Sequence, residues 1–489
     1  MSGEAARMVS HSAIYGAGNI ARKIVAFIML PIYTRYLTPA DYGAVELFTL
    51  LLSVVEVFFG MRMGQALFRY YFAADGKTER DEVVTTVLAV GAGVSALGAM
   101  AVAGFSEPLA RVLFGEALYV HLIPLVGLLL VTQGVEDFGL NFIRAHQRPG
   151  LFLALSLGKL ALQVSLNLYL VVWLELHVAG VVLGNVLSSG AIALFGVGYT
   201  LRYTRLRPSR RHLRVLLAFS YPFWISGLFQ IYISFGDRYF LRVFTDMAQV
   251  GIYALAYRFG FLLVEFTWGT FANIWDTQRY RILKRGDARE IYQMTFQYFA
   301  LFTILMGLGI AMFVGDVIHV MAAPAFWPAA DIAPVLVLAY ILYVWTLFSN
   351  FGLLLAEKTR KLAIASGITA VVISVGYLAL IPLLGALGAA LATLIALSVE
   401  LTWVHAQARR EYDMGLPWAR VLSALALAVV LYAIAEAGPT ELVWSLLLRG
   451  ALVGVFLVAV LFSPLLPAEQ RGLVRSLIRR PARLRGVAG

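Results

Sequence analysis

Long apolar stretches run the length of the chain, separated by short segments that hold most of the charge. A helix needs about 20 mostly apolar residues to cross a hydrocarbon core of ~30 Å. Such stretches fall near 12–34, 43–66, 83–104, 119–142, 151–173, 178–200, 215–236, 249–273, 293–315, 331–355, 362–383, 386–406, 421–438 and 442–463. The pattern predicts an all-α polytopic membrane protein of about 14 transmembrane helices. The eleventh and twelfth are divided only around Pro382 to Gly385, and the thirteenth is short. The first, from Ser12 to about Tyr33, is too long for a signal-peptide core. No small-residue cleavage pattern follows it, so it reads as a retained span.

Composition removes the soluble alternative. Hydrophobic residues are 61% of the 489 and charged residues 14%, whereas soluble domains run nearer roughly 45–50% apolar and about 25% charged. The absence of cysteine excludes disulfides, thiolate metal sites, iron–sulfur clusters and cysteine nucleophiles. The net charge of +11 would suggest nucleic acid in a soluble chain. Here its distribution gives a different reading. With the N-terminus inside, the inner segments carry 29 Lys and Arg, and the outer ones four, Arg35, Arg111, Arg238 and Arg242. Basic residues are retained on the cytoplasmic side, which places both termini there and makes nucleic acid an unneeded partner. No outer segment exceeds about fifteen residues, which leaves little to shape a glycosyl-transfer site.

The chain looks internally repeated. Arg35-Tyr-Leu-Thr-Pro-Ala-Asp-Tyr-Gly43 leads into span 2, and Arg242-Val-Phe-Thr-Asp-Met-Ala-Gln-Val-Gly251 into span 8. Each is a basic residue, a short turn and a glycine opening a helix. Arg144-Ala-His-Gln-Arg148 and Glu357-Lys-Thr-Arg-Lys361 likewise precede spans 5 and 11. Partners six spans apart keep one orientation. The expected organisation is therefore two pseudo-symmetric six-helix lobes, 1–206 and 212–406. Two additional C-terminal helices, 421–463, and a basic cytoplasmic tail, 464–489, follow. Leu473, Val474, Leu477 and Ile478 give that tail an amphipathic spacing suited to anionic lipid.

Charges within the spans are the candidate chemistry, because each costs at least ~2.5–3.5 kcal/mol at mid-bilayer unless paired, solvated or snorkelling. Arg22 and Lys23 lie midway along span 1, Arg62 in span 2 and Arg258 in span 8. If spans 1, 2, 7 and 8 line a central cleft, these four make a cationic chamber. Such a chamber suits phosphorylated or otherwise anionic substrates, since the guanidinium fork matches phosphate oxygens. The competing reading pairs each base with a structural acid. Glu46, Glu56 and Glu265 are candidates for H+ or Na+ coupling, or equally counter-ions. Asp237 and Arg238 end span 7. Lys159 could snorkel, Glu136 and Asp137 read as wet near the inner boundary, and Arg449 as a structural or outer-interface residue. No phosphate loop, HExxH or EF-hand motif occurs, and the histidines make no metal pair. Tyr70-Tyr71, Trp268, Trp275 and Trp327 read as interface aromatics. Gly91-Ala-Gly93 and Gly385-Ala-Leu-Gly388 read as sites of close helix packing.

Several segments carry a family likeness. Tyr15-Gly-Ala-Gly-Asn19 followed by Leu30-Pro-Ile-Tyr-Thr-Arg-Tyr-Leu-Thr-Pro-Ala-Asp-Tyr-Gly43 resembles the opening of the polysaccharide flippases. These form the O-antigen (Wzx-type) branch of the multidrug/oligosaccharidyl-lipid/polysaccharide exporter superfamily. Phe219-Ser-Tyr-Pro-Phe-Trp-Ile-Ser-Gly-Leu228, Gly236-Asp-Arg-Tyr-Phe-Leu241 and Val250-Gly-Ile-Tyr-Ala-Leu-Ala-Tyr-Arg258 resemble that family's seventh and eighth spans. The resemblance implies a two-lobed bundle working by alternating access in a bacterial inner membrane. It implies export of a polyprenyl-pyrophosphate-linked oligosaccharide, an O-antigen, capsule or exopolysaccharide unit, and no catalytic residue. By position, Arg22, Lys23, Arg62 and Arg258 would meet the pyrophosphate or anionic sugars. Asp237-Arg238 matches an Asp-Arg pair that either closes an outer gate or fixes the helix end. The implied partners are the lipid-linked oligosaccharide, membrane lipids and a polysaccharide polymerase or secretion component. A cation-coupled multidrug exporter of the same superfamily is the alternative, although a basic chamber suits cationic drugs poorly. A membrane subunit of a polysaccharide-secretion complex is another, with 201–214 and 274–292 as docking loops. A membrane glycosyltransferase is the weakest reading.

Overall fold

The computed structural model describes residues 29–59, 64–115, 117–439 and 441–462, with the backbone alone at 64–65, 217–230, 277 and 442. Arg22, Lys23, Arg62, most of the first span and the basic tail therefore lie outside the described residues. Among the described residues the regular structure is helical. In chain order the helices are α1 (Leu30–Tyr36), α2 (Pro39–Phe59), α3 (Gly64–Ala73), α4 (Lys77–Gly104), α5 (Ser106–Phe114) and α6 (Ile123–Ala145). Next come α7 (Pro149–Asn167), α8 (His177–Tyr203), α9 (Arg210–Phe244), α10 (Met247–Phe266), α11 (Trp268–Ile282) and α12 (Ala288–Met321). The last are α13 (Ala329–Ser349), α14 (Phe351–Leu355), α15 (Thr359–Glu411), α16 (Trp418–Glu436) and α17 (Leu442–Phe462). Eleven helical segments among the described residues are long and apolar enough to cross a membrane. The chain is an all-α polytopic membrane protein.

One of those eleven carries two predicted spans. Helix α15 is 53 residues long, which would be ~80 Å if straight at 1.5 Å per residue. It cannot be straight. Gly385 breaks it with φ 55° and ψ −132°, three residues after Pro382. That backbone needs a residue without Cβ. The two arms return alongside each other. A Cβ on Gly376 would lie 2.7 Å from Ala392 Cβ, and Lys361 Nζ meets Glu411 Oε1 at 2.7 Å. The eleventh and twelfth spans are thus an antiparallel hairpin turning where the sequence placed its divide.

The chain forms two compact units, residues 1–254 with 321–326, and 255–320 with 327–489. In the first, α6 packs against both α4 and α8, and α2 against α9. Glycines set the closest crossings: a Cβ on Gly139 of α6 would sit 2.9 Å from the Gly196 Cα of α8. Gly43 and Gly251 also face one another, and a Cβ on Gly251 would meet the Gly43 amide nitrogen at 3.0 Å. By contrast Gly91 and Gly93 have nothing within 4 Å of a built Cβ, so they do not serve the close packing expected of them. The basic linker after α8 is tied down by side chains of α4. The Arg205 amide donates to Asp81 at 3.2 Å and the Ser209 amide to Thr86 at 2.8 Å.

In the second unit one aromatic-rich core joins α10 to α14 and α16. Trp275 belongs to it rather than to an interface belt: it is buried and stacks on Phe348 at 4.5 Å. Trp327, on the other hand, is exposed as an interface aromatic should be.

Candidate functional site

Among the described residues, ion-pair groups in both units and an exposed Arg258 organise the charge within the spans. The first network lies in the first unit. Helix α9 extends two turns beyond the predicted end of span 7, so Asp237 and Arg238 sit inside it rather than at its terminus. Both are buried, at 1% and 2% exposure. Arg238 Nη1 donates to Asp237 Oδ1 at 2.7 Å and to the Ser234 carbonyl at 3.0 Å. Its Nε lies 3.7 Å from Glu46 Oε2 of α2. The guanidinium also stands over the rings of Phe235 and Tyr253, at 5.1 and 5.8 Å. An arginine held by two carboxylates and two rings ties α9 to α2. Glu46 thereby takes the counter-ion position.

The second network joins α6, α7 and α8. Glu136 is 4% exposed, not wet as its sequence position suggested. Lys159 Nζ reaches Glu136 at 2.7 Å, and the Ser189 hydroxyl donates to the same carboxylate. A lysine in an apolar stretch that looked free to snorkel is instead consumed by an acid 23 residues earlier. Sequence gave no register between α6, α7 and α8, so only the presence of opposite charges at similar depth hinted at the pair. Asp137, next to Glu136, is exposed, and half-buried Glu56 of α2 lies within electrostatic range of it.

The second unit holds the remaining charges. Arg449 of α17 pairs with Asp316 of α12 and lies 3.6 Å from Glu436, which favours the structural over the outer-interface reading of this residue. Arg258 and Glu265 occupy one side of α10, seven residues apart, with Arg258 exposed and Glu265 half-buried. Of the four sequence-predicted cleft bases, Arg258 alone falls among the described residues.

The ends of the helices carry a different chemistry. His146 follows α6 within an aromatic group of Phe142, Tyr199 and Tyr203, its Nδ1 3.3 Å from the Tyr199 hydroxyl. Burial, and then the charge of Arg148, lower its pKa below the ordinary 6.5. Arg242 caps the end of α5 by donating from Nε to the Phe114 carbonyl at 2.8 Å. Among the described residues no group of three or more His, Asp or Glu is placed to hold a metal ion.

Known proteins extend these observations. The family model described as "Polysaccharide biosynthesis protein" matches residues 9–268. The "Probable flippase AglR" of Haloferax volcanii is 25% identical over 274 residues, 52% of this chain and 55% of that protein. The chain thus spans about half the length of that curated relative. Among solved structures, "Lipid II flippase MurJ, inward closed conformation" has a TM-score of 0.72 at 13% identity, covering 96% of this chain and 100% of its own. An inward-facing multidrug resistance MATE family transporter of the MOP superfamily has a TM-score of 0.63 at 17% identity, covering 80% and 95%. At those identities the likeness is one of fold.

Proposed function

Since the chain belongs to the polysaccharide biosynthesis protein family, we propose that it is a flippase carrying a polyprenyl-pyrophosphate-linked oligosaccharide across the bacterial inner membrane by alternating access. The observation that carries the reading is the family match over 9–268, a range that includes Arg22, Lys23, Arg62 and Arg258. Charge supports it. Arg238, Lys159 and Arg449 are held by acids within their own units. Arg258 is exposed on its helix. A guanidinium presented from an apolar helix is suited to a pyrophosphate, which offers paired oxygens to its planar fork. The lipid tail remains in the bilayer while the headgroup crosses. Asp237 and Arg238 act by holding α9 to α2 rather than by meeting substrate.

The test is replacement of Arg258 in cells that need the exported glycan. Arg258→Ala abolishes export while protein level and melting temperature stay at the parent values, and Arg258→Lys restores part of it. Full export by Arg258→Ala removes the cationic site. The cation-coupled multidrug exporter is kept as a second reading because Glu56, Glu136 and Asp137 gather near Lys159. Such an acidic surplus favours uptake of a proton or sodium ion. Efflux of a cationic dye, without movement of lipid-linked sugar, is its signature.

A further inference from the structure

Helix α15 ends at Glu411 and α16 begins at Trp418; the turn between them is anchored to α12 by Arg289, 2.9 Å from Asp413. Beside the turn lies a cavity of about 640 Å³, lined from α15 by Leu401, His405, Arg409 and Arg410 and from α16 by Trp418 and Leu422. Its depth follows from helix geometry. Gly385 and Arg409 are 24 residues apart along one arm, ~36 Å at 1.5 Å per residue. That exceeds the ~30 Å hydrocarbon core. If the hairpin turn stands at one boundary of the bilayer, the cavity stands at the other, where a tryptophan and arginines belong.

The charges of the cavity are not balanced by its neighbours. Glu411 is taken by Lys361 at 2.7 Å. Asp413 serves Arg289 at 2.9 Å and Arg409 at 3.8 Å. Arg410 has no acidic partner among the described residues. His405 accepts from Trp418 Nε1 at 3.0 Å on Nε2, which assigns the proton of a neutral ring to Nδ1 and leaves that N–H to donate. Arginines at a helix C-terminus also complement its dipole. That alone leaves unexplained why they border a roomy cavity with an apolar wall. The wall continues outward along α16, where Leu422, Val429 and Val430 are each about half exposed. A free phosphate ion would have no use for this apolar face. The chain's own tail, with arginines from Arg471 to Arg485, has the wrong charge.

We propose that this cavity binds the phosphate headgroup of an anionic glycerophospholipid from the leaflet in which α15 ends. Arg410, Arg409 and His405 face the phosphate, and Trp418 and Leu422 lie beneath the first carbons of the acyl chains. The occupant belongs to the surrounding bilayer and is distinct from the transported lipid.

The test is native mass spectrometry of the full-length protein in detergent, titrated with phosphatidylglycerol or with phosphatidylcholine of the same acyl chains. Phosphatidylglycerol should bind about tenfold tighter, and Arg410→Gln should weaken it about fivefold without altering phosphatidylcholine. Arg410→Lys retains most of the difference. Arg360→Gln, an equal charge loss at the start of α15, leaves it unchanged. Equal binding of the two lipids, or an Arg410→Gln protein that keeps the preference, overturns the proposal. So does displacement of phosphatidylglycerol by inorganic pyrophosphate at matched concentration, which would assign the cavity to a free or substrate-borne phosphate group. Because the transport assay does not enter this experiment, its failure leaves the flippase reading standing.

Discussion

Arg238 and Arg258 stand twenty residues apart on consecutive helices, and both fall in apolar stretches of the sequence. Their exposure differs. Arg238 is 2% exposed and held by Asp237, Glu46 and two aromatic rings. Arg258 projects from the exposed side of α10. Depth in the membrane therefore does not decide what an arginine does. A buried arginine of this kind joins helices, whereas one on an exposed face is accessible from outside its own packing layer.

The comparison is broken most severely at Arg238. Arg238→Ala leaves Asp237 and Glu46 buried without their cation, a loss of about 3–5 kcal/mol for a group of this kind. Thermal unfolding in detergent should show a much lowered melting temperature and reduced protein yield, whereas Arg258→Ala should show neither. Equal melting temperatures for the two variants would erase the distinction between them.

Lys159 and Glu136 test the same idea across three helices. Lys159→Met alone should destabilise by about 3 kcal/mol, because the buried carboxylate loses its partner. The double change Lys159→Met with Glu136→Gln should recover most of that loss, since an apolar or neutral pair no longer carries an uncompensated charge. A double variant as unstable as the sum of the singles would show that the two residues act independently.

A smaller effect is expected at the α6–α8 crossing. Gly139→Ala brings a methyl within 2.9 Å of the Gly196 Cα, and overpacking of that kind costs about 1–3 kcal/mol. Gly91→Ala, with open space around it, should be neutral or slightly stabilising in a helix. Melting temperatures of the two variants should therefore move in opposite senses or differ clearly in size.

The smallest effect concerns pH. His146 has its pKa lowered below 6.5 by burial and by Arg148, so near and below that pH the unfolded chain binds the proton more readily than the folded one. Stability should be full above about pH 6.5 and fall as the pH drops below it, and His146→Gln should flatten that part of the profile. A variant with the parent's acid limb would place the titrating group elsewhere.

Much of this was legible in the sequence where the signal is local. Apolar runs gave the helices, and Pro382 and Gly385 marked the hairpin turn; that Gly43 and Gly251 approach one another was not foreseen. Charge pairing was not legible, because it depends on helix register. Glu136 and Lys159 are separated by a whole helix-to-helix connection, and Glu46 and Arg238 by nearly two hundred residues. The end of α9 was placed too early because Asp237 and Arg238 look like a polar terminus. They pair with one another, Arg238 also lying beside Glu46, and the helix continues through them to Phe244. Trp275 was misplaced for a related reason, since an aromatic beside basic residues suits an interface as well as a core.

The central claim is movement of a lipid-linked sugar, and reconstitution tests it directly. Purified protein in liposomes would be given a fluorescent polyprenyl-pyrophosphate oligosaccharide, and its transfer between leaflets followed with and without a pH or sodium gradient. Transfer should require the protein and be lost in Arg258→Ala. Liposomes containing well-folded protein that leave the labelled lipid in its original leaflet, while expelling a cationic dye, would contradict it.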